Sequence, residues 1–376
     1  MDIQLYKDCP LYKHGLQIEP GTLNLKPCCW FKNSVVGSTS YADYKNKIEL
    51  LDLTVSCKKC IDADTAGRVS PRQRHVDFDA DPKLGMVIDN RCNLECVTCD
   101  TSASVKLIPE RKALQWITND EAEKHKNTSF PSDNRTSFLS KLTVDFVDDK
   151  SWSDNIFVIL TGGEILKSNA SIQYLENLVA SGVARKVHLH IITNGTVSLN
   201  KISDTLSSFR SVRINFSIDG IDDVFNFMRY GADFQKVKDN LLYELELGRY
   251  QIGIIHTSSW MNILGASEFL QWADKLLIAE LSLSVVYTPS YFSVDIIPQE
   301  IREKIIAELP IPTSICGKEF HSKIVNMLRF PSTIEDCSKL REEGLRRMQQ
   351  LIDYRHVTVP DKISSMINSL RLTDFG

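Results

Sequence analysis

The sequence predicts an α/β protein: an open, partial (βα)6 barrel of the TIM type, with a small cysteine-rich segment before it and a helical extension after it. Two observations carry that expectation. From residue 85 onward, apolar runs of strand length recur, separated by segments of helix length. Strands alternating with helices imply βαβ units and a parallel sheet, and six units fall two short of a closed eightfold barrel. The cysteines, in turn, crowd ahead of and into the first of those runs, at positions 9, 28, 29, 57, 60, 92, 96 and 99, with only Cys316 and Cys337 later.

The six strand candidates read GMVIDNRC (85–92), NIFVILTGGE (155–164), KVHLHIITNG (186–195), SVRINFSIDG (211–220), YQIGIIHTSS (250–259) and ELSLSVVYTP (280–289). Amphipathic stretches such as SIQYLENLVASG (171–182) and FQKVKDNLLYELELG (234–248) lie between them. Segment 100–154 is long for one crossover, and its polar middle, HKNTSFPSDNRTSF (125–138), reads as a loop or small insertion. After residue 297 the pattern turns helical, which reads as a cap on the barrel. The expected boundaries are 1–75 for the cysteine-rich segment, 82–292 for the barrel and 297–376 for the extension.

A chain of 376 residues with 43% hydrophobic and 24% charged residues can bury one large catalytic domain plus appendages. The net charge of -4 gives no general attraction to nucleic acid or an anionic membrane surface. No apolar run is long enough to span a bilayer. The start MDIQLYKDCP lacks the basic-then-apolar pattern of a signal peptide, so a cytoplasmic compartment is expected. Thiols stay reduced there, and ten cysteines then point to metal ligation rather than disulfides.

In RCNLECVTCD the spacing is C-x3-C-x2-C, with Cys92, Cys96 and Cys99. Three thiolates on one short loop can ligate three irons of a cubane cluster and leave the fourth iron open to a substrate's amino and carboxylate groups. The plainer alternative is a zinc site, which normally closes with a fourth Cys or His; no histidine lies close in sequence. The second strand ends in TGGEIL, where Gly162 and Gly163 let the backbone approach a ligand and Glu164 can accept hydrogen bonds from an ammonium group. The third strand ends in Thr193-Asn194-Gly195. The fourth ends in SIDG, where Ser217 and Asp219 share a face and suit the two hydroxyls of a ribose. Further on, FMRYGADF sets Arg229 before a glycine turn.

With these motifs in this order, the region from about Gly85 to Pro289 resembles the radical SAM superfamily. The resemblance implies a [4Fe-4S] cluster on Cys92, Cys96 and Cys99 and S-adenosylmethionine (SAM) at its open iron. It also implies that Gly162, Gly163 and Glu164 meet the methionine ammonium, that Asn194 supplies a polar strand ending, that Ser217 and Asp219 contact the ribose, and that Arg229 pairs with the SAM carboxylate through its planar fork. The activity implied is reductive cleavage of SAM to methionine and a 5′-deoxyadenosyl radical, fed by an electron donor such as flavodoxin or ferredoxin. One departure is Thr98, which stands where the family often has an aromatic residue against the adenine, so adenine contacts must come from elsewhere, such as the backbone near Ile255 to Thr257.

Cys9, Cys28, Cys57 and Cys60 together could supply four thiolates to a second site, with Cys29 able to replace Cys28 because adjacent strand residues point to opposite faces. The stretch GTLNLKPCCWF looks like a hairpin strand carrying a ligand. It resembles half of the SPASM or twitch auxiliary-cluster domains, which follow the barrel in relatives and here would precede it. A zinc site with the same four ligands is the alternative, and Cys316 and Cys337 read as ordinary thiols. Strand parity turns Arg213, Asn215, His188 and His190 inward with Ser217, Asp219 and Asn194, giving a polar lumen; His188, His190 and His256 read as hydrogen-bonded structural residues. By analogy with the subgroup the substrate is a peptide or protein, with a small metabolite, nucleotide or sugar as the other enzymatic reading. From another class, the chain could be a non-catalytic metal-binding scaffold.

Overall fold

The structure is a computed structural model and describes residues 4–18, 24–28, 31–65, 70, 81–127, 133–149, 155–330 and 337–372. Strand β1 (Gly15–Ile18) and strand β2 (Leu25–Lys26) are followed by α1 (Tyr41–Ile48) and α2 (Lys58–Thr65). Then come β3 (Lys83–Val87), α3 (Ile108–Ala113), α4 (Asn119–Asn127), α5 (Asp133–Val147), β4 (Ile156–Thr161), α6 (Asn169–Ala180) and β5 (Val187–Thr193). Strand β6 (Ser211–Ser217), α7 (Asp222–Met228), α8 (Phe234–Leu247), β7 (Gln251–Ser258), α9 (Ala266–Ala273) and β8 (Glu280–Val285) complete the alternation. The extension is helical as expected: α10 (Gln299–Glu308), α11 (Ile315–Arg329), α12 (Ser338–Arg355) and α13 (Asp361–Leu372).

The sheet order is β2-β1-β3-β4-β5-β6-β7-β8. From β3 to β8 it is sequential, as a (βα)6 barrel requires, and the β3–β4, β4–β5 and β7–β8 pairs are parallel. Sequence pattern gave no hint that the N-terminal strands join the same sheet. They do: β1 runs parallel to β3 with Leu16 opposite Leu84, and β2 lies antiparallel to β1 with Ile18 opposite Leu25. The reason is that β1 itself alternates half-buried and buried residues, so it can extend a sheet that has one covered face. Residues 21–23 of the expected hairpin strand, and Cys29, lie outside the described residues.

A second difference concerns 125–138. Residues 125–127 end α4 and residues 133–138 begin α5, so the described part of the expected loop is helical. Thr136 is the buried position of its described part; along the rest of α5 Leu139, Ser140, Leu142, Thr143, Phe146 and Val147 continue the buried face, with hydroxyl residues interrupting the apolar stripe. Ser140 and Thr143 can be buried because each donates back to a carbonyl one turn earlier, those of Thr136 and Leu139.

The chain divides into two compact units: Met1–Cys92 with Glu123–Ile192 and Leu199–Arg213, and Asn93–Ala122 with Thr193–Ser198 and Ile214–Gly376. In the first, Leu16, Leu84, Val158, Leu189, Phe146 and Tyr174 are wholly or almost wholly buried, and α6 packs on α5. In the second, Trp260, Phe269, Phe292 and Phe320 form the heart of the core, and α11 packs along β8. No described helix is long and apolar enough to cross a membrane. Local chemistry sets the helix ends: Ser168 caps α6 at the Ser171 N–H and Asp233 caps α8 at the Lys236 N–H, while Gly248 closes α8 in the left-handed conformation.

Tyr174 of α6 is fully buried in the first unit's core, where its hydroxyl lies 2.7 Å from Thr143 Oγ1. Because Thr143 also bonds the Leu139 carbonyl, Tyr174→Phe strands no partner. Urea denaturation is expected to show a loss of only about 1 kcal/mol.

Candidate cofactor site

Each motif singled out above directly follows its own strand: the cysteine loop after β3, Gly162-Gly163-Glu164 after β4, Asn194 after β5 and Asp219 after β6. Among the described cysteines, Cys9, Cys28, Cys57, Cys60, Cys92, Cys96, Cys99, Cys316 and Cys337 are thiols rather than disulfide partners. No three described His, Cys, Asp or Glu side chains converge as ligands of a single metal ion do. A cubane spreads its thiolates over separate irons.

In the first unit, the approach to Cys92 is built on Asp89. This carboxylate is buried and accepts from Ser168 Oγ at 2.8 Å, the Arg91 N–H at 3.0 Å and Arg91 Nε at 2.6 Å. The two glycines of the GGE turn take φ of +83° and +56°. A Cβ on Gly163 would stand 2.6 Å from the Arg91 carbonyl oxygen and 2.8 Å from that of Asp89. The Glu164 N–H donates to the same Arg91 carbonyl at 2.8 Å. The glycine that sequence reasoning reserved for close approach of a ligand therefore admits the cysteine loop itself. Glu164 is buried, and its Oε1 accepts the Leu166 N–H at 3.2 Å as a helix cap.

In the second unit, Asn93, the residue after Cys92, sits in a closed triangle. Asn194 Nδ2 donates to Asn93 Oδ1 at 3.0 Å, Asn93 Nδ2 donates to Thr196 Oγ1 at 3.0 Å, and Thr196 donates to Asn194 Oδ1 through both its N–H and hydroxyl. The Glu95 and Val97 N–H groups, on either side of Cys96, donate to the Tyr230 and Met228 carbonyls at 2.9 and 2.8 Å. The segment around Arg229 thus holds the loop by its backbone, whatever its side chain does.

Ser217 is half-buried at the end of β6. Asp219 is buried and its oxygens are engaged: Oδ1 accepts the Thr257 N–H at 2.8 Å, and Oδ2 lies 2.9 Å from Arg229 Nε as an ion pair. The residues expected on the ribose and on the SAM carboxylate are paired with each other. The Thr257 N–H, one of the backbone groups proposed for adenine, is taken up as well. Burial works against the Arg229 charge, but Asp219 and then Cys96 and Cys99 hold its pKa above the ordinary arginine value.

Asp89, Asn93 and Thr196 were not singled out from the sequence; a polar run closing an apolar strand, Asp89-Asn90-Arg91, was the available signal. His188 bonds Ser211 Oγ at 2.6 Å and stacks on Phe157. His256 is fully buried against Phe269 and Phe320, with Nδ1 3.1 Å from the Ile218 carbonyl. Both arrangements are structural. Burial pushes the His256 pKa down to about 4, with Asp219 opposing.

The N-terminal cysteines lie in the first unit. The Cys57-x-x-Cys60 pair forms one turn, closed by the Cys60 N–H on the Cys57 carbonyl at 2.9 Å. Burial raises the Cys57 thiol to about 12, with the neighbouring Cys60 and Cys9 thiols adding to it. The chain just after Cys28 is stitched beside Cys57: the Lys32 N–H donates to the Ser56 carbonyl at 2.8 Å and Asn33 Nδ2 to Ser56 Oγ at 3.2 Å.

No family model matches the sequence. The chain is 26% identical over 166 residues to the GTP 3′,8-cyclases of Listeria welshimeri and Listeria monocytogenes, a match covering 44% of this chain and 42% of the relative. It therefore spans less than half the length of the curated relatives it matches. Among solved structures, anSMEcpe with bound AdoMet and the Cp18Cys peptide is 16% identical, covering 61% of this chain and 59% of that one with a TM-score of 0.41. Streptococcus suis SuiB bound to S-adenosylmethionine is 13% identical, covering 87% and 54% with a TM-score of 0.33. The cysteine triplet and strand-end motifs thus stand in a chain that is similar, over part of its length, to GTP 3′,8-cyclases.

Two outcomes test this geometry. Gly163→Ala forces a left-handed backbone and a clash with two carbonyls, so thermal or urea unfolding is expected to show a loss of about 2–4 kcal/mol. For His256 the folded pKa lies below the unfolded one, so the unfolded chain binds the extra proton. Stability contributed by the neutral ring is complete above about pH 6.5 and falls as pH drops toward 4, by at most about 3 kcal/mol. NMR should find the His256 imidazole still neutral at about pH 5.

Proposed function

We propose that the chain is a radical SAM enzyme in which Cys92, Cys96 and Cys99 hold a [4Fe-4S] cluster with one iron open to SAM. The observation that supports it best is the loop itself: three thiols on a backbone fixed at both flanks of Cys96, with Arg229 placed so that Cys96 and Cys99 favour its charge. This donor set fits a cluster, since soft thiolates on separate irons are what such a cluster takes. When bound, it would supply the electron that splits SAM into methionine and a 5′-deoxyadenosyl radical. The chain's own residues do the rest. Glu164 offers a buried carboxylate for the methionine ammonium, and Gly162 and Gly163 keep that turn against the cysteine loop. Ser217 offers a hydroxyl for the ribose. Asp219 and Arg229 act as a buried pair that fixes the ends of β6 and β7, with Arg229 facing the SAM carboxylate when that pair opens; Asn194 orients the loop through Asn93.

Cys9, Cys28, Cys57 and Cys60 form our proposed second site, a fully thiolate-ligated auxiliary cluster. The substrate we propose is a peptide or protein, on the likeness of the N-terminal cysteine set to auxiliary-cluster domains of enzymes that modify peptides. A second reading, a nucleotide or other small metabolite, is favoured by the relatives named as GTP cyclases. The proposed electron donor is a flavodoxin or ferredoxin, and the proposed compartment the cytoplasm.

Anaerobic reconstitution with iron and sulfide, followed by reduction with SAM, should yield 5′-deoxyadenosine, and Cys92→Ala should abolish it. Absence of product from the parent chain, or the same yield from the variant, would sink the proposal. About eight irons per chain would support two clusters and about four only one.

A further inference from the structure

The helical extension reaches back to the cysteine loop. At the end of α12, Arg355 is almost fully buried and forms a two-pronged ion pair with Glu110, Nε to Oε2 at 2.5 Å and Nη2 to Oε1 at 3.0 Å. The same Nη2 donates to the carbonyl of Glu95, next to Cys96, at 2.6 Å. The guanidinium also lies over the Tyr230 ring, 4.3 Å from its centroid, and Tyr230 is the residue whose carbonyl takes the Glu95 N–H. Glu95 is therefore gripped on both sides of its peptide. One residue group further on, Arg111 donates to the Val97 carbonyl at 3.1 Å and shares Glu110, Nη1 to Oε1 at 3.1 Å. It lies over Trp116, which α12 engages through Gln350 and Arg347.

We propose that Arg355 is a positioning residue of the cofactor site and that α12 belongs to that site rather than to a separate cap. Arg355 fixes the carbonyl before Cys96, Arg111 fixes the carbonyl after it, and Glu110 couples the two. A flat fork that meets a carboxylate in two places and still has a donor to spare for a carbonyl is something arginine can do and lysine cannot. The proposal deepens the cluster reading, and its first test needs no cluster.

The experiment compares the parent chain with Arg355→Gln, Arg355→Lys and, as a control on the exposed face of α12, Arg346→Ala. Hydrogen exchange on the metal-free protein should show the Glu95 and Val97 amides opening at least tenfold faster in Arg355→Gln, with partial recovery in Arg355→Lys and no change in Arg346→Ala. Unchanged exchange at those amides overturns the proposal, whether or not a cluster is ever loaded. Should Arg355→Gln fold poorly, Glu110→Gln weakens the same fork and should give the same local opening. After anaerobic reconstitution, the reduced cluster in Arg355→Gln should show altered electron paramagnetic resonance g-values and faster iron loss to a chelator. A parent chain without a SAM-responsive cluster signal would refute the functional reading and leave the exchange result standing on its own.

Discussion

The loop that carries Cys92, Cys96 and Cys99 is neither helix nor strand, so its buried peptide groups need partners elsewhere. The rest of the site follows from meeting that demand. In the first unit the carbonyl of Arg91 is met by the Glu164 N–H, and Gly163 has no side chain because that meeting is so close. In the second unit the Glu95 and Val97 N–H groups go to Tyr230 and Met228, and their carbonyls go to Arg355 and Arg111. Asn194 holds Asn93 by its side chain. Strand-end motifs that look like a set of ligand contacts are, in this chain, also the fastenings of the loop.

Charge follows the same logic. Around Cys96 and Cys99 the second unit buries Arg111 and sets the largely covered side chains of Arg229 and Arg355 against the carboxylates of Asp219 and Glu110. A buried ion left without compensation is costly, and Glu110 has to serve two arginines. Burial duly pulls the Arg111 pKa down, with Glu110 and then, after the opposing Arg355, Cys99 working to hold it up. Thiols that ionise on becoming ligands would place negative charge where cations already stand. In the proposed cluster, ligand deprotonation and cation burial would favour each other, and metal loading would then be coupled to fold stability.

Much of the fold could be read from periodicity. The six barrel strands alternate or run apolar in the expected places, and the helical extension shows its apolar spacing plainly. In segment 125–138 the described ends are helical although they look polar in one dimension, because Thr136 is their buried position and the apolar residues of the buried face of α5, Leu139, Leu142 and Phe146, come only after them. The joining of β1 and β2 to the sheet left no mark in the pattern because strands of four and two residues are too short to show a periodicity. In the site, the types and spacing of Cys92, Cys96, Cys99, Gly163 and Glu164 could be picked out, whereas the pairing of Asp219 with Arg229 could not. Either residue alone reads as a ligand contact, and only the fold shows that each is the other's neighbour.

Arg355 lies 260 residues from the carbonyl it holds, which raises the question of why so remote a residue should serve a loop that local side chains could reach. Closing a long loop costs only about 0.6 kcal/mol more for each doubling of its length. That cost is not borne by the arginine. Met348 and Leu351 of α12 are buried in the second unit's core, and Trp116 bonds Gln350 of the same helix at 3.1 Å. These contacts bring the helix home for reasons of packing, and Arg355 then arrives with its backbone already fixed. A short-range arginine on the loop itself would have to be ordered together with the loop, at the expense of its own freedom. An arginine delivered on a packed helix meets the loop as a rigid partner, so nearly all the energy of its fork goes into fixing the segment that carries the cysteines.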